Sequence, residues 1–151
     1  MKRKECHVFI YFLLVGIFFT FSYGNAQKKA MTPESLYEMI KLSDPQVSPD
    51  GKWIAYTQAE PRLDENKYIS DIWLMPISGG HAKRLTRSEG SNYSPRWSPT
   101  SKELLFVSTR HQTANLFILP IDGGEARQLT HSVTDLYSPK WAGSGGYILC
   151  Q

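Results

Sequence analysis

One short segment of the sequence comes close to a pattern that presents a nucleophilic serine. Residues 142–146 read AGSGG, and they differ from the Gly-x-Ser-x-Gly pattern of a nucleophile elbow only in having Ala142 at the first glycine position. An elbow places its serine on a sharp turn between a strand and a helix. Residues 147–149 are apolar and predict a strand after the turn instead of a helix. We therefore expect Ser144 to lie in a hairpin turn, and we assign no Ser-His-Asp set to the sequence.

Histidine and carboxylate side chains suggest two further kinds of chemistry, metal binding and recognition of a peptide amine. The histidines lie far apart, each in a polar turn-like segment, which favours solvated loop residues over metal ligands: His81, His111 and His131. One polar insertion carries three carboxylates: Glu60, Asp64 and Glu65. Such carboxylates could pair with the α-ammonium of a peptide, although charged surface loops are more often solvated. Both interpretations stay open, and we assign no substrate-binding residue, metal ligand or cofactor.

The first 26 residues have the pattern of a secretory signal peptide. A basic start at residues 2–4 precedes an uncharged apolar run over residues 8–24, and small residues then lead to a predicted cleavage between Ala26 and Gln27. An uncleaved membrane anchor is the alternative, although the run of 17 residues is shorter than the about 20 that a spanning helix needs. In either case we expect the rest of the chain to be exported, periplasmic or secreted, with no membrane association after cleavage.

Loss of the signal would leave a nearly neutral chain. It removes three of the 17 basic residues and one of the 14 acidic residues, which takes the net charge from +3 to +1. That charge argues against a nucleic-acid partner, which requires a basic surface. Cys6 is removed as well, so Cys150 remains alone and no intramolecular disulfide can form.

The segments that must position these residues form a repeat. SDIWLMPISGGHAKRLT at 70–86 returns as ANLFILPIDGGEARQLT at 114–130, an offset of 44 residues. At the same offset, YSPRWSP at 93–99 returns as YSPKWAG at 137–143. The first Ser-Pro segment, SDPQVSPDGKWIAYTQ at 43–58, aligns with the second at an offset of 50. Six extra residues therefore fall between Thr57 and Asp71, where the polar sequence predicts a loop insertion.

Each repeat predicts four short strands. A Ser-Pro segment supplies the first strand and leads into a tight turn. Proline suits the second position of such a turn, because that position requires a φ of about −65°. Apolar runs at 53–57 and 72–77 give the second and third strands, a Gly-Gly pair turns the chain, and AKRLT at 82–86 gives a polar fourth strand. The apolar runs do not alternate with polar residues, so both faces of each sheet should be buried between neighbouring sheets.

Four-stranded repeats of this length are typical of a β-propeller. We predict an all-β fold with blades at 45–86 and 93–130 and the opening of a third at 137–151. The ring would be incomplete, since a propeller generally has about four to eight blades. An all-β sandwich is the alternative, but in such a fold the sequence repeat at a constant offset would have to be coincidental. We also expect residues 27–151, expressed alone, to associate, because blades without neighbours leave apolar faces in water.

A short helix precedes the blades, within an N-terminal segment at 27–44. Thr32 is a good N-cap, and Pro33 suits the first helical position. An apolar stripe follows, which we expect to pack on the propeller: Leu36, Tyr37, Met39 and Ile40.

Taken together, four segments resemble the start of a prolyl oligopeptidase family serine peptidase, in particular its acylaminoacyl-peptidase and dipeptidyl-peptidase branch. They are MTPESLYEMIKLSDPQVSPDGKWIAYTQ, DENKYISDIWLMPISGG, RLTRSEGSNYSPRWSP and LFILPIDGGEARQLT. The resemblance covers residues 31–149, and the helix leading into SDPQVSPDGKW is its most specific part. The SPDGK turn alone is less specific, because TolB-like propellers also use it.

This resemblance implies that the propeller caps an α/β-hydrolase domain, filters short peptide substrates by size and helps to hold their N-termini. In that family the nucleophilic Ser, the Asp and the His follow the last blade, so the implied serine peptidase would carry its catalytic residues outside this chain. We transfer no family binding residue to these positions. The alternative is a non-catalytic TolB-like propeller that binds a protein partner. TolB-like proteins place a small α/β domain before the propeller, whereas a short helix alone separates the predicted signal from the first blade.

Overall fold

A computed structural model describes residues 32, 35, 37–143 and 145–151 of the chain. The predicted signal peptide at 1–26, with its cleavage between Ala26 and Gln27, lies outside the described residues, as does Ser144. No helix in the described part is long and apolar enough to cross a membrane.

The described residues form antiparallel β-sheets, which confirms the all-β, blade-like fold class. Blade one is a four-stranded sheet in the order β1 Lys41–Val47, β2 Trp53–Arg62, β3 Lys67–Pro76 and β4 Lys83–Arg84. Blade two has the same order, β5 Asn92–Trp97, β6 Glu103–His111, β7 Thr113–Pro120 and β8 Arg127–Gln128. A third unit pairs β9 Lys140–Trp141 with β10 Ile148–Leu149. Within the described range these sheets do not close into a ring.

Blade two is buried on both faces, as the unbroken apolar runs predict. One face packs on blade one, and this first seam is formed by Ala55, Ile72, Leu74, Trp97, Leu104, Phe106, Phe117 and Leu119. The other face packs on the third unit, and the second seam is formed by Leu105, Val107, Ala114, Leu116, Trp141 and Ile148. Successive residues of β6 and β7 therefore serve opposite seams, because side chains alternate across a strand.

Blade one is covered on one face alone within the described residues. Its open face lines a cleft of about 340 Å³ that includes Ile54, Tyr56 and Met75. The repeat aligns these residues with Leu104, Phe106 and Leu119 of blade two, which are buried in the first seam. The open face of blade one therefore carries apolar residues at the same repeat positions as the face of blade two that packs on blade one.

A tryptophan hydrogen bond repeats at both seams. The indole Nε1–H of Trp97 donates to the backbone carbonyl of Gln46 at 2.9 Å. The indole Nε1–H of Trp141 donates to the carbonyl of Arg96 at 3.1 Å. The tryptophan of a Ser-Pro-x-Trp segment thus donates to the backbone carbonyl of the residue at the x position in the preceding unit. Blade one has Val47 where the later units have tryptophan.

The first strand of each unit bends before its proline. Asp44, Ser94 and Ser138 all have positive φ values, of 49°, 56° and 50°. In blades one and two the strand pairing shifts register at this point, which is the mark of a β-bulge. A bulge leaves one residue without a pairing partner, so proline, which lacks an N–H, is tolerated there.

The six-residue insertion differs from its prediction, because it lengthens a hairpin instead of forming a loop. β2 and β3 pair without interruption from Trp53↔Pro76 to Arg62↔Lys67, and a 3-10 turn at Leu63–Glu65 joins them. In blade two the regular pairing stops at Ser108↔Asn115 and resumes only at His111↔Thr113. Strand pairing satisfies the backbone groups of this polar segment, and most residues of the extended hairpin are partly buried.

The N-terminal segment is described only in part. The Ser35 backbone N–H donates to Thr32 Oγ1 at 3.3 Å, as expected for an N-cap. Pro33 and Leu36 lie outside the described residues. Tyr37, Met39 and Ile40 are exposed, so the predicted packing of their stripe on the propeller is wrong at these positions. The first strand begins at Lys41, four residues before the predicted start of blade one.

Candidate functional site

The described residues of the AGSGG segment, Ala142, Gly143, Gly145 and Gly146, lie between β9 and β10. The Ala142 N–H donates to the Tyr147 carbonyl at 2.8 Å, and the Gly145 N–H donates to the Ala142 carbonyl at 2.7 Å. The same two bonds close the turns at Ser48 and Ser98 in the earlier units. The segment is followed by a strand, so it lacks the strand–turn–helix setting of a nucleophile elbow.

The three histidines are exposed and occupy different places in the fold. His81 follows the Gly-Gly turn of blade one, and His131 follows β8. His111 ends β6, where its ring is tilted against Phe117 with the centroids 6.3 Å apart. Among the described residues, no group of three or more His, Cys, Asp or Glu side chains is positioned to hold a metal ion.

The acidic insertion lies on the extended hairpin, where local contacts engage two of its three carboxylates. Glu60 accepts a hydrogen bond from Gln58 Nε2 at 3.0 Å. Glu65 forms an ion pair with Lys67 at the hairpin end, and both side chains are about half exposed. Asp64 lies in the 3-10 turn and is exposed. Asp64 and Glu65 therefore lie at a solvated hairpin tip, Glu60 lies farther along β2, and among the described groups neither Asp64 nor Glu60 has a cationic partner.

A different carboxylate, Asp71 on β3, is the one buried charged side chain among the described residues, with 3% of its surface exposed. It forms an ion pair with Arg84 of β4 and accepts a hydrogen bond from Thr86 Oγ1 at 2.7 Å. Across the first seam, Asn92 Nδ2 donates to it at 3.1 Å. Thr86 Oγ1 also accepts from the Ile72 backbone N–H at 2.9 Å. The network thus fixes β3, β4 and the start of blade two around one carboxylate.

Blade two repeats this network with neutral groups. Asn115 takes the place of Asp71, and its Oδ1 accepts from Thr130 Oγ1 at 2.8 Å and from the Ser132 N–H at 2.8 Å. Gln128 takes the place of Arg84, and it donates to the Thr130 carbonyl at 2.7 Å. The Leu-Thr motif of the repeat therefore has a structural role, since its threonine hydroxyl joins the third strand to the fourth.

Sequence reasoning missed this network although a signal was present. At the 44-residue offset both members of the Asp71–Arg84 pair become amides in blade two, Asn115 and Gln128. A simultaneous change from charged to neutral at two equivalent positions is what contact between them would produce. The network holds β-strands in place and presents no nucleophile or general base to solvent, so its chemistry is structural.

Comparison with known proteins agrees with this geometry. The uncharacterized peptidase YuxL of Bacillus subtilis is 34% identical over 87 residues, which is 58% of this chain and 13% of the relative. Dipeptidyl-peptidase 5 of Porphyromonas gingivalis is 30% identical over 87 residues, with the same coverage of 58% and 13%. The chain thus spans a small part of the length of these relatives.

A solved structure shows the same fold. The acylaminoacyl peptidase of Pyrococcus horikoshii superposes with a TM-score of 0.67 at 22% identity, over 81% of this chain and 18% of that one. The family model described as the TolB beta propeller domain, PD40, matches residues 28–151. Repeated blades, seam tryptophans and this match lead to one conclusion, that the chain belongs to the PD40 family of TolB beta propeller domains.

Proposed function

We propose that this chain is the N-terminal propeller of an exported serine exopeptidase that cleaves short peptides. The observation that carries the proposal is its similarity to two relatives named as peptidases, at 34% and 30% identity. The match takes up 13% of each relative, which leaves ample length in such proteins for an α/β-hydrolase domain with the Ser, Asp and His. In this proposal the blades gate peptide access to that domain and help to hold the substrate.

The geometry supports a gating role over a catalytic one. Both seams are packed and hydrogen-bonded, so the blades form a rigid wall. The segment that resembles a nucleophile elbow lies between two strands, β9 and β10, and no helix follows it within the described residues. Substrate contact by the propeller would fall to exposed groups such as Asp64, for which a solvated tip is the alternative.

A second candidate function is a non-catalytic propeller that binds a protein partner. The observation that favours it is the family match itself, since the model covering residues 28–151 is described as the TolB beta propeller domain. The two candidates share the fold of the described residues and differ in what accompanies the propeller.

Reading the coding DNA past codon 151 separates the two candidates. The peptidase proposal expects an open frame with further blades, followed by Gly-x-Ser-x-Gly and then Asp and His. A frame that stops after the last blade, with no such pattern, would instead favour the partner-binding propeller.

Labelling with a fluorophosphonate probe for serine hydrolases provides the biochemical test. We expect residues 27–151 alone to remain unlabelled and the protein encoded by the whole frame to be labelled. Labelling of residues 27–151 that disappears in Ser144→Ala would contradict our interpretation of the AGSGG turn. Cell fractionation with and without residues 1–26 tests the export that we propose.

A further inference from the structure

A cleft of about 460 Å³ lies at the first seam, between the fourth strand of blade one and the third and fourth strands of blade two. Three guanidinium groups line it, from Arg84, Arg87 and Arg110, and the single carboxylate that lines it is Glu125. Most of its remaining lining is small or apolar, including Leu85, Leu119 and Ala126. The cleft therefore carries an excess of basic groups beside apolar side chains.

Arg110 is the most constrained of the three. Its guanidinium lies 4.2 Å from the centroid of the Phe117 ring, so one flat face is covered. Its Nε donates to Ser108 Oγ at 2.9 Å, and its Nη2 donates to Asn92 Oδ1 at 3.1 Å. Both acceptors are neutral. Burial lowers the pKa of Arg110 from its usual value, while Asp71 acts in the opposite direction, so the protein leaves this cation without a full counter-charge.

Arg87 adds charge that the described residues do not neutralise, whereas Arg84 is paired with Asp71. Asp71 is already engaged by Arg84 and by two hydrogen bonds. Arg87 is exposed, and within the described part of the chain no carboxylate lies in ion-pair range of Arg87 or Arg110. The Nε and Nη2 groups of Arg84 and Arg110 already donate within the protein. The donors left for a ligand are the Nη1 groups of these two residues and the guanidinium of the exposed Arg87, and an oxyanion is the group that such charged N–H donors match.

The second seam lacks arginine at two of the equivalent positions. At the 44-residue offset, Gln128 replaces Arg84 and His131 replaces Arg87. Asn92, which holds Arg110 in the first seam, is replaced by Leu136, which packs into the apolar core. Charge is therefore concentrated at one seam and is not a general property of the repeat.

We propose that the cleft at the first seam binds an oxyanion, with Arg87 and Arg110 as its main donors and Glu125 as a competing internal anion. The shared chemistry is a planar or tetrahedral oxygen group carried either by a free phosphate or by the carboxylate of an acidic peptide. The site lies apart from the acidic hairpin tip and does not depend on the proposed peptidase function.

The test is a titration of the ¹⁵N-labelled chain, carried on a small soluble fusion partner, with the arginine Nε–Hε signals as the readout. Inorganic phosphate is one titrant, an N-acetylated glutamate peptide is the other, and sodium chloride at matched ionic strength is the baseline. We expect saturable shifts of the Arg87 and Arg110 signals with a dissociation constant of about 1 mM. Saturation by phosphate alone identifies a phosphate ligand, and saturation by the peptide alone identifies an acidic peptide.

Three variants decide whether the site is specific. Arg87→Gln removes an exposed donor and should weaken binding about tenfold, with little effect on folding. Glu125→Gln removes the internal competitor and should strengthen binding several-fold. Arg62→Gln at the hairpin end is the matched control and should change nothing. The proposal is overturned if neither titrant saturates, or if Arg87→Gln and Arg62→Gln weaken binding equally, which would show general charge screening.

Discussion

Blades one and two place a threonine hydroxyl at the same point but surround it with different charges. In blade one Thr86 donates to the carboxylate of Asp71, which Arg84 neutralises. In blade two Thr130 donates to the amide of Asn115, and Gln128 replaces the arginine. The hydroxyl accepts from the backbone N–H of the third strand at 2.9 Å in both blades. The comparison teaches that the repeat specifies an acceptor at this position and leaves its charge free to vary.

The largest expected effect on the free energy of unfolding comes from removing the carboxylate of the charged network in blade one. Asp71→Ala should lower the free energy of unfolding by about 3–5 kcal/mol, because it leaves Arg84 partly buried without its partner. Asn115→Ala is the matched change in blade two and should cost about 1–3 kcal/mol, the range for an unsatisfied neutral group. Urea unfolding followed by tryptophan fluorescence, on the chain carried by a soluble fusion partner, measures both. Equal costs would show that the ion pair adds nothing to the neutral design.

A double replacement then tests whether the two versions are interchangeable. Asp71→Asn with Arg84→Gln converts the pair of blade one into that of blade two. We expect the double variant to lie within about 1 kcal/mol of the parent, while each single change costs more. If the double variant is as unstable as the sum of the singles, the charge itself is required at the first seam.

The connections between units should differ in their tolerance of a methyl group. A Cβ on Gly90 would lie 2.5 Å from the backbone carbon of Thr109 and 2.6 Å from the Arg110 nitrogen. Gly90→Ala should therefore cost about 1–3 kcal/mol, since neither backbone atom can move freely. Thr134 is the equivalent residue in the next connection, and Thr134→Ala should stay within about 0.5 kcal/mol of the parent. The same urea titration measures both, and a harmless Gly90→Ala would show that the connection shifts at little cost.

A second pair of threonines should respond in opposite directions. Thr57 Oγ1 is buried and has no hydrogen-bond partner among the described residues, and blade two has Val107 at the equivalent position. Thr57→Val should raise the free energy of unfolding by about 1 kcal/mol, because it removes an unsatisfied hydroxyl. Thr86→Val, which removes a hydroxyl with two partners, should lower it by a similar amount or more. Loss of stability in Thr57→Val would indicate that an ordered water pairs the hydroxyl.

The smallest expected effect is a dependence on pH at the connections. Asp135 accepts from the Ala114 backbone N–H at 2.7 Å, where blade one uses the neutral Ser91 hydroxyl for the Ser70 N–H. The Ala114 N–H, and then the Tyr137 hydroxyl, lower the pKa of Asp135. A lowered folded-state pKa stabilises the fold above the unfolded value and loses that stabilisation as pH falls through the folded value.

The expected outcome is a slightly steeper loss of stability below about pH 4 in the parent than in Asp135→Ser. Comparing urea midpoints of the two proteins from about pH 6 down to about pH 3 isolates the contribution, because the other carboxylates are common to both. Parallel curves would mean that Asp135 is too well solvated to respond.

The repeat made the blades predictable because it constrains many residues at once. One offset fixed the turns, the paired strands and the burial of both faces in blade two. Even the turn that lacks glycine follows the pattern, since Ser101 takes a φ of 59° where Gly51 has 71°. Here the tertiary fit of the hairpin outweighs the local preference of serine.

Features outside the repeat were harder to infer. The polarity of the insertion after Thr57 predicts a loop, but polarity does not distinguish a loop from a hairpin whose two strands continue beyond the rest of the sheet. Asp71, Asn92 and Arg110 are brought together across the first seam, and that contact depends on how one sheet twists over the next. Sequence spacing alone carries no such information.

The seam tryptophans make the contact between neighbouring units directional, because each indole N–H donates to the unit before it. Blade two both donates an indole N–H, from Trp97, and offers a carbonyl, from Arg96. Blade one offers the Gln46 carbonyl, but Val47 has no group to donate. Because the acceptor is a backbone carbonyl, the side chain of the accepting residue can be replaced without loss of the hydrogen bond. A second copy of blade two could therefore be inserted directly after the first, and a tryptophan–carbonyl hydrogen bond could form with the neighbour on each side. A copy of blade one in that place would lack one of these two hydrogen bonds.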